Sequence, residues 1–199
     1  MPETDVLIEA SQLLLRMGIV MAPTETRYGL LARSDKPGAV RKIYDLKNRS
    51  YSTPTAIFVK SVDEITKYGS LSNQARYIAD KFLPGPLTII IKAKPGIEPP
   101  LAVNGKIGLR YSSSAVISGL LKLVDFNFTA TSANISGEKD LGTIEEAVEI
   151  FGDRIDMYLD AGVLDTAAST VIDCSGDDFR ILRPGIITEE MILSHLEMN

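Results

Sequence analysis

Four short polar islands interrupt an otherwise apolar chain: Thr24–Thr26 (TET), Lys47–Arg49 (KNR), Thr129–Gly137 (TATSANISG), and Ser169-Thr170 with Arg183. Their side chains are of the kinds that bind anions and nucleotides. Lysine supplies a point charge and arginine a bidentate fork for phosphate. In an extended segment residues i and i+2 point to the same side, so Lys47 and Arg49 can meet one polyphosphate there. The plain alternative is a solvated helix end, where cations interact with the dipole and need no ligand. TATSANISG offers the hydroxyls of Thr129, Thr131, Ser132 and Ser136, the amide of Asn134 and a closing Gly137. Such a run suits close approach to a nucleotide, or a turn that satisfies its own backbone. The chain contains neither GxxxxGK[ST] nor GxGxxG.

Other chemistries are poorly served. His195 is the only histidine, expected to be exposed on a helix, which argues against a Ser-His-Asp triad or a histidine-based zinc site. Cys174 is the only cysteine and reads as structural, in keeping with a reducing compartment. Gly176-Asp177-Asp178 reads as a turn. The net charge of −5 means that nucleic-acid binding would need a local basic patch. Met1–Asp5 is acidic where a secretory leader is basic, and LLLRMGIVMA is broken by Arg16 and Gly18 and too short to span a bilayer. A cytoplasmic protein without membrane partners is expected.

The elements that would position these islands alternate between helix and strand. Thr4 is expected to cap a helix over Asp5–Met17, followed by Gly18 and a buried strand at Ile19–Ala22. PTETRYGLLA becomes strand-like after its threonines. Asp35 and Pro37 open a helix carrying Val40, Ile43, Tyr44 and Leu46 to near Lys47. Thr55–Val59 reads as a strand, Ser61–Glu64 as a capping box, and Ser72 as the cap of a helix to Phe82 that Pro84-Gly85-Pro86 ends. Leu87–Ala93 is a central strand, and KPGIEPP a loop. Strands at Ile107–Arg110 and Phe128–Thr131 flank a helix over Ala115–Val124, and Thr143–Glu146 is a capping box before a helix to Phe151. Strands near Met157–Asp160, Ser169–Asp173 and Phe179–Leu182 precede a last helix from Thr188. This predicts an α/β fold with a mixed sheet, since several connections are too short for parallel crossovers. With no Gly/Ser linker, residues 1–199 are expected to form one domain.

Taken in order, PTETRYGL, KIYDLKNRS, FLPGPLTIII, IGLRYSS, TATSANISG, STVID and RILRPG resemble the YrdC/TsaC family from roughly Gly18 to Gly185. Its members are threonylcarbamoyl-AMP synthases, and this chain resembles the short form without the extra C-terminal domain. The resemblance implies a twisted mixed α/β sheet with flanking helices around a concave basic groove. It also implies a reaction of L-threonine, bicarbonate and ATP, with Mg²⁺ arriving on the ATP. The product would pass to threonylcarbamoyl-transferase machinery that modifies tRNA. By the same resemblance Lys47 and Arg49 are the catalytic pair, and Arg49, Ser132, Asn134 and Arg183 bind ATP. Thr26, Arg110, Ala130 and Ser169 bind threonine, no protein metal site is expected, and a lid is expected around Ser50–Thr53.

The chain departs from the family pattern at Phe58, Lys106, Ser112–Ser114 and Asp140. A carboxylate at Asp140 would repel phosphates unless a cation intervenes, and Lys106 is the candidate to offset it. The alternative reading is a module that binds double-stranded RNA or tRNA, or a paralogue without threonine-dependent activity.

Overall fold

The computed structural model describes residues 4–197, so Met1–Glu3 of the acidic N-terminus lie outside the described residues. In chain order the elements are α1 (Thr4–Leu15), β1 (Val20–Pro23), β2 (Tyr28–Leu31), α2 (Pro37–Leu46), β3 (Ala56–Phe58), α3 (Val62–Ile65), β4 (Gly69–Ser70) and α4 (Asn73–Phe82). Strands β5 (Leu87–Ala93), β6 (Ala102–Val103) and β7 (Lys106–Arg110) follow, then α5 (Ala115–Leu123), β8 (Phe128–Ser132) and α6 (Ile144–Phe151). The last are β9 (Met157–Tyr158), β10 (Thr170–Asp173), β11 (Arg180–Arg183) and α7 (Glu189–Glu197).

Helix starts follow hydroxyl chemistry. Ser72 accepts from Ala75 N at 3.1 Å, and Ser114 accepts from Ile117 N at 3.4 Å. Thr143 and Glu146 exchange both bonds of a capping box. Such caps contribute about 1 kcal/mol each. At Ser61 the exchange is one-sided: Ser61 accepts from Glu64 N, but the Glu64 carboxylate takes Lys60 N instead. Asp35 does not cap α2, because its carboxylate binds Arg33. Thr4 lies within α1 rather than ahead of it as a cap.

The strands form one mixed sheet in the order β11-β10-β5-β7-β3-β8-β2-β1-β9, with β4 on β5 and β6 on β7. Pairs β10–β5, β3–β7 and β1–β9 are parallel and the others antiparallel. Strands of L-residues give such a sheet its right-handed twist.

Side-chain alternation decides where the site can lie. On one face Ile57, Leu87, Ile89, Ile91, Ile107, Leu109 and Ile172 form a core with α4 and α7. Further along that face Met21 and Leu30 pack with Ile43 of α2 and Phe151 of α6. On the opposite face α1 and α5 cover only Val20, Ala22, Leu31, Phe58 and Phe128. The remainder of that face is left without a helix. It presents Thr88 and Ile90 of β5, Gly108 and Arg110 of β7, Ala56 of β3, and Val171 and Asp173 of β10, side by side in register. Gly108 keeps this floor low at its centre, where a Cβ would stand 3.2 Å from Ala56 Cβ and 3.5 Å from Thr88 Cγ2.

Candidate active site

The uncovered half of the sheet is the floor of a cavity of about 530 Å³. Its walls come from the turn after β1, the segment after α2, the turn after β8, and the ends of β10 and β11. Of the residues singled out from the sequence, Thr26, Arg49, Arg110, Ala130, Ser132, Ser169 and Arg183 line it. Its other charged lining residues are Arg27, Lys106, Asp140 and Asp173.

Lys47 and Asn134 stand behind the wall. Lys47 is 1% exposed. Its Nζ donates to Ser132 O at 2.5 Å, Asn134 O at 2.8 Å and Asn134 Oδ1 at 2.8 Å. All three N–H donors of the ammonium are thereby used. Asn134 Nδ2 donates to Glu138 O, Ser132 Oγ to Asn134 Oδ1, and Ser136 N to Lys47 O. The serine-asparagine turn is thus built around the lysine. Burial, reinforced by Arg49, pushes the Lys47 ammonium down to about 7, with Asp140 acting in the opposite sense.

The expectation that Lys47 and Arg49 face one ligand from an extended segment does not hold in this geometry. Asn48 has φ 49° and Arg49 N donates to Tyr44 O, so the chain turns left-handed at the helix end. The two cations diverge: Lys47 goes under the turn, Arg49 into the wall. Arg49 Nη2 donates to Pro54 O at 2.6 Å, and its guanidinium lies 5.7 Å from the Tyr44 ring centroid. The Ser50–Thr53 segment folds back on α2, with Tyr51 stacked on Tyr44 at 5.0 Å and Tyr44 Oη donating to Thr53 O.

Arg183 donates to Ser169 O at 2.9 Å and to Ser169 Oγ at 3.0 Å. Lys106 does not offset Asp140. Its Nζ reaches across β5 to Asp173 at 2.7 Å, because both side chains rise from the same face. Lys47 and Arg183 both lie in the field of Asp140.

From β7, Arg110 Nη2 donates to Glu25 Oε1 and to Thr26 Oγ1, each at 3.0 Å, with the guanidinium 5.5 Å from the Phe58 ring centroid. Ser112 Oγ donates to Glu25 Oε2, and Ser112 is 2% exposed. Sequence reasoning assigned no role to Glu25, although it stands between the two threonines of the first island. Thr55 was also passed over. Among the described residues, the buried side-chain atoms without a hydrogen-bond partner are Arg27 Nε, Arg49 Nε, Thr55 Oγ1, Arg110 Nε and Asn127 Oδ1. The first four belong to residues lining this cavity. Unpaired buried polar atoms are costly, and their concentration marks a place where protein groups alone do not complete the bonding.

The remaining reactive side chains lie elsewhere. His195 is half-buried rather than exposed, because its ring packs edge-on to Phe82 at 5.2 Å across α4 and α7. Cys174 is buried, which pushes its thiol up to about 12. Among the described residues no group of three His, Cys, Asp or Glu could hold a metal ion, and no helix is long and apolar enough to cross a membrane.

The comparisons agree with this architecture. A provisionally named threonylcarbamoyl-AMP synthase of Methanocaldococcus jannaschii is 38% identical over 170 residues, 85% of this chain and 80% of the relative. Threonylcarbamoyl-AMP synthase of Bacillus subtilis is 30% identical across 94% of this chain, which spans only 55% of that relative. The crystal structure of P. abyssi Sua5 complexed with L-threonine superposes with a TM-score of 0.89 at 28% identity, covering 98% of this chain and 58% of Sua5. The Sua5/YciO/YrdC family model, described as "Telomere recombination", matches residues 12–185, and the chain belongs to that family.

Proposed function

We propose that this protein is an L-threonylcarbamoyladenylate synthase, joining L-threonine, bicarbonate and ATP and releasing pyrophosphate. The observation that carries this reading is the meeting of two unlike groups in one cavity: Arg49, Ser132 and Arg183, and Thr26 with Arg110, with Ser169 joined to the first group through Arg183. Relatives carrying the synthase name, and a threonine-bound structure of the same fold, support it.

In this reading the threonine carboxylate meets Arg110, with Thr26, Ala130 and Ser169 around the amino acid. The amine, held out of water, adds to the carbon of bicarbonate, and water leaves to give the carbamate. A carbamate oxygen then attacks the α-phosphorus of ATP, and the bond to pyrophosphate breaks. Negative charge on the transferred phosphoryl group is stabilised by Arg49 and Arg183. Lys47 contributes by fixing the Ser132–Asn134 turn, which presents Ser132 to the nucleotide. Positioning of three substrates and exclusion of water account for most of the catalysis, since the cavity provides no histidine base. Mg²⁺ enters as part of the ATP substrate. The adenylate would be handed to a transferase acting on tRNA, placing the protein in the cytoplasm.

Omission experiments test this reading. Pyrophosphate release is expected only when ATP, bicarbonate and threonine are all present. Release indifferent to threonine by folded protein would reject it. Salt-sensitive binding of tRNA without any turnover would favour the binding-module reading instead.

A further inference from the structure

Arg110 reaches the cavity already engaged. One of its terminal nitrogens, Nη2, is held by Glu25 and Thr26, and Glu25 is held in turn by Ser112, which also accepts from Ser114 N. Ser114 is tied to Pro23 O and caps α5. The side chains of Arg110 and Glu25 are 10% and 13% exposed, while neither Glu25 nor Ser112 lines the cavity. Hydroxyls of the Ser112–Ser114 run therefore fix an acid, and the acid fixes the arginine.

We infer that Glu25, clamped by Ser112, is a positioning residue that sets the orientation of Arg110 for a small carboxylate ligand, the amino-acid substrate of the proposed reaction. The inference rests on that reading for the identity of the ligand. Its physical basis is directional. With Nη2 committed, among the described residues Nη1 makes no hydrogen bond, and Nε is buried without a partner. A guanidinium binds carboxylate through a planar fork, so rotation about its long stem must be suppressed before the fork is aimed. Phe58 limits the ring side of that rotation, and the Glu25–Thr26 pair limits the edge.

A purely electrostatic role for Glu25 predicts the opposite sign. Its negative charge weakens the field of Arg110 on an incoming carboxylate, so neutralising it would tighten binding. Positioning predicts weakening. Glu25→Gln keeps the volume and one acceptor for Arg110, and Ser112→Ala removes only the clamp hydroxyl, so the pair does not depend on one variant folding.

The experiment is titration calorimetry of threonine and, separately, of ATP into the wild-type protein and both variants, with KM and kcat for pyrophosphate release. Glu25→Gln is expected to raise the threonine Kd and KM about tenfold, with ATP affinity and kcat within about twofold. Ser112→Ala should shift threonine binding in the same direction by about threefold. Unchanged or tighter threonine binding in both variants overturns the clamp and leaves the synthase reading standing, as does an equal loss of ATP affinity. Threonine binding by wild type without pyrophosphate release contradicts the synthase reading while the clamp is still measured by the same titrations. A wild-type protein that binds no threonine overturns both.

Discussion

Two groups of arginines in the cavity are held in different ways. For Arg110 the partner is a carboxylate, Glu25, backed by buried hydroxyls, and the local charge is nearly balanced. For Arg49 and Arg183 the partners are neutral oxygens of Pro54 and Ser169, and Arg183 lies in the fields of both Asp140 and Arg110. A balanced site suits an amino acid, which brings one positive and one negative group. A wall of cations bonded to neutral oxygens suits a polyanion, because the ligand supplies the missing charge.

The contrast can be broken first at its cationic end. Arg49→Ala is expected to lower kcat/KM for ATP by about 10²–10³, the scale of removing one preorganised donor to developing charge, while threonine affinity changes little. Steady-state kinetics with ATP as the varied substrate read this out. Equal losses for both substrates would mean that the two groups do not act separately.

Lys47 comes next. Lys47→Met removes the Nζ donor from Ser132 O, Asn134 O and Asn134 Oδ1, of which the last keeps Ser132 Oγ, and should cost on the order of 3 kcal/mol in urea unfolding. It also removes a pH dependence. Burial lowers this ammonium from its usual 10.5 to about 7, so between those values the unfolded chain keeps a proton that the native protein has lost. Stability from this group therefore rises with pH above 7, with a slope of up to about 1.4 kcal/mol per unit. Below pH 7 both states are charged and the slope vanishes. Buried Cys174 acts in the opposite sense at higher pH, so the quantity to compare is wild type minus Lys47→Met between pH 7 and 9. Identical slopes would show that Lys47 does not titrate there.

The smallest effect belongs to Asp140. Replacing it with Ser removes a carboxylate lining the cavity and should lower the KM for ATP severalfold, about 1 kcal/mol at a half-buried wall. A raised KM would instead give Asp140 a constructive part in holding the nucleotide or its metal.

Much of this architecture was legible in the residues. The run LTIIIKA announced β5, with its extents from Leu87 to Ala93, and the Ser72 and Thr143 caps marked two helix starts. Two elements were not legible, β4 (Gly69–Ser70) and β6 (Ala102–Val103), because two-residue strands have no period and exist only through their neighbours β5 and β7. At the site, residue types pointed to a shared hollow, but side-chain direction did not follow from spacing. Lys47 and Arg49 part because Asn48 adopts φ 49°, which a reading of alternate positions does not contain. The Lys106–Asp173 pair likewise depends on which strand separates β7 from β10. Glu25 was hidden for another reason: its partners Arg110 and Ser112 lie 85 and 87 residues away.

The central claim is that both subsites act on one product, and a single labelled reaction tests it directly. Protein incubated with ¹³C-bicarbonate, threonine and ATP should yield, by mass spectrometry of the quenched mixture, an adenylate carrying threonine and one ¹³C. ATP hydrolysis to unlabelled products only, with the protein folded and both ligands bound, would contradict the account.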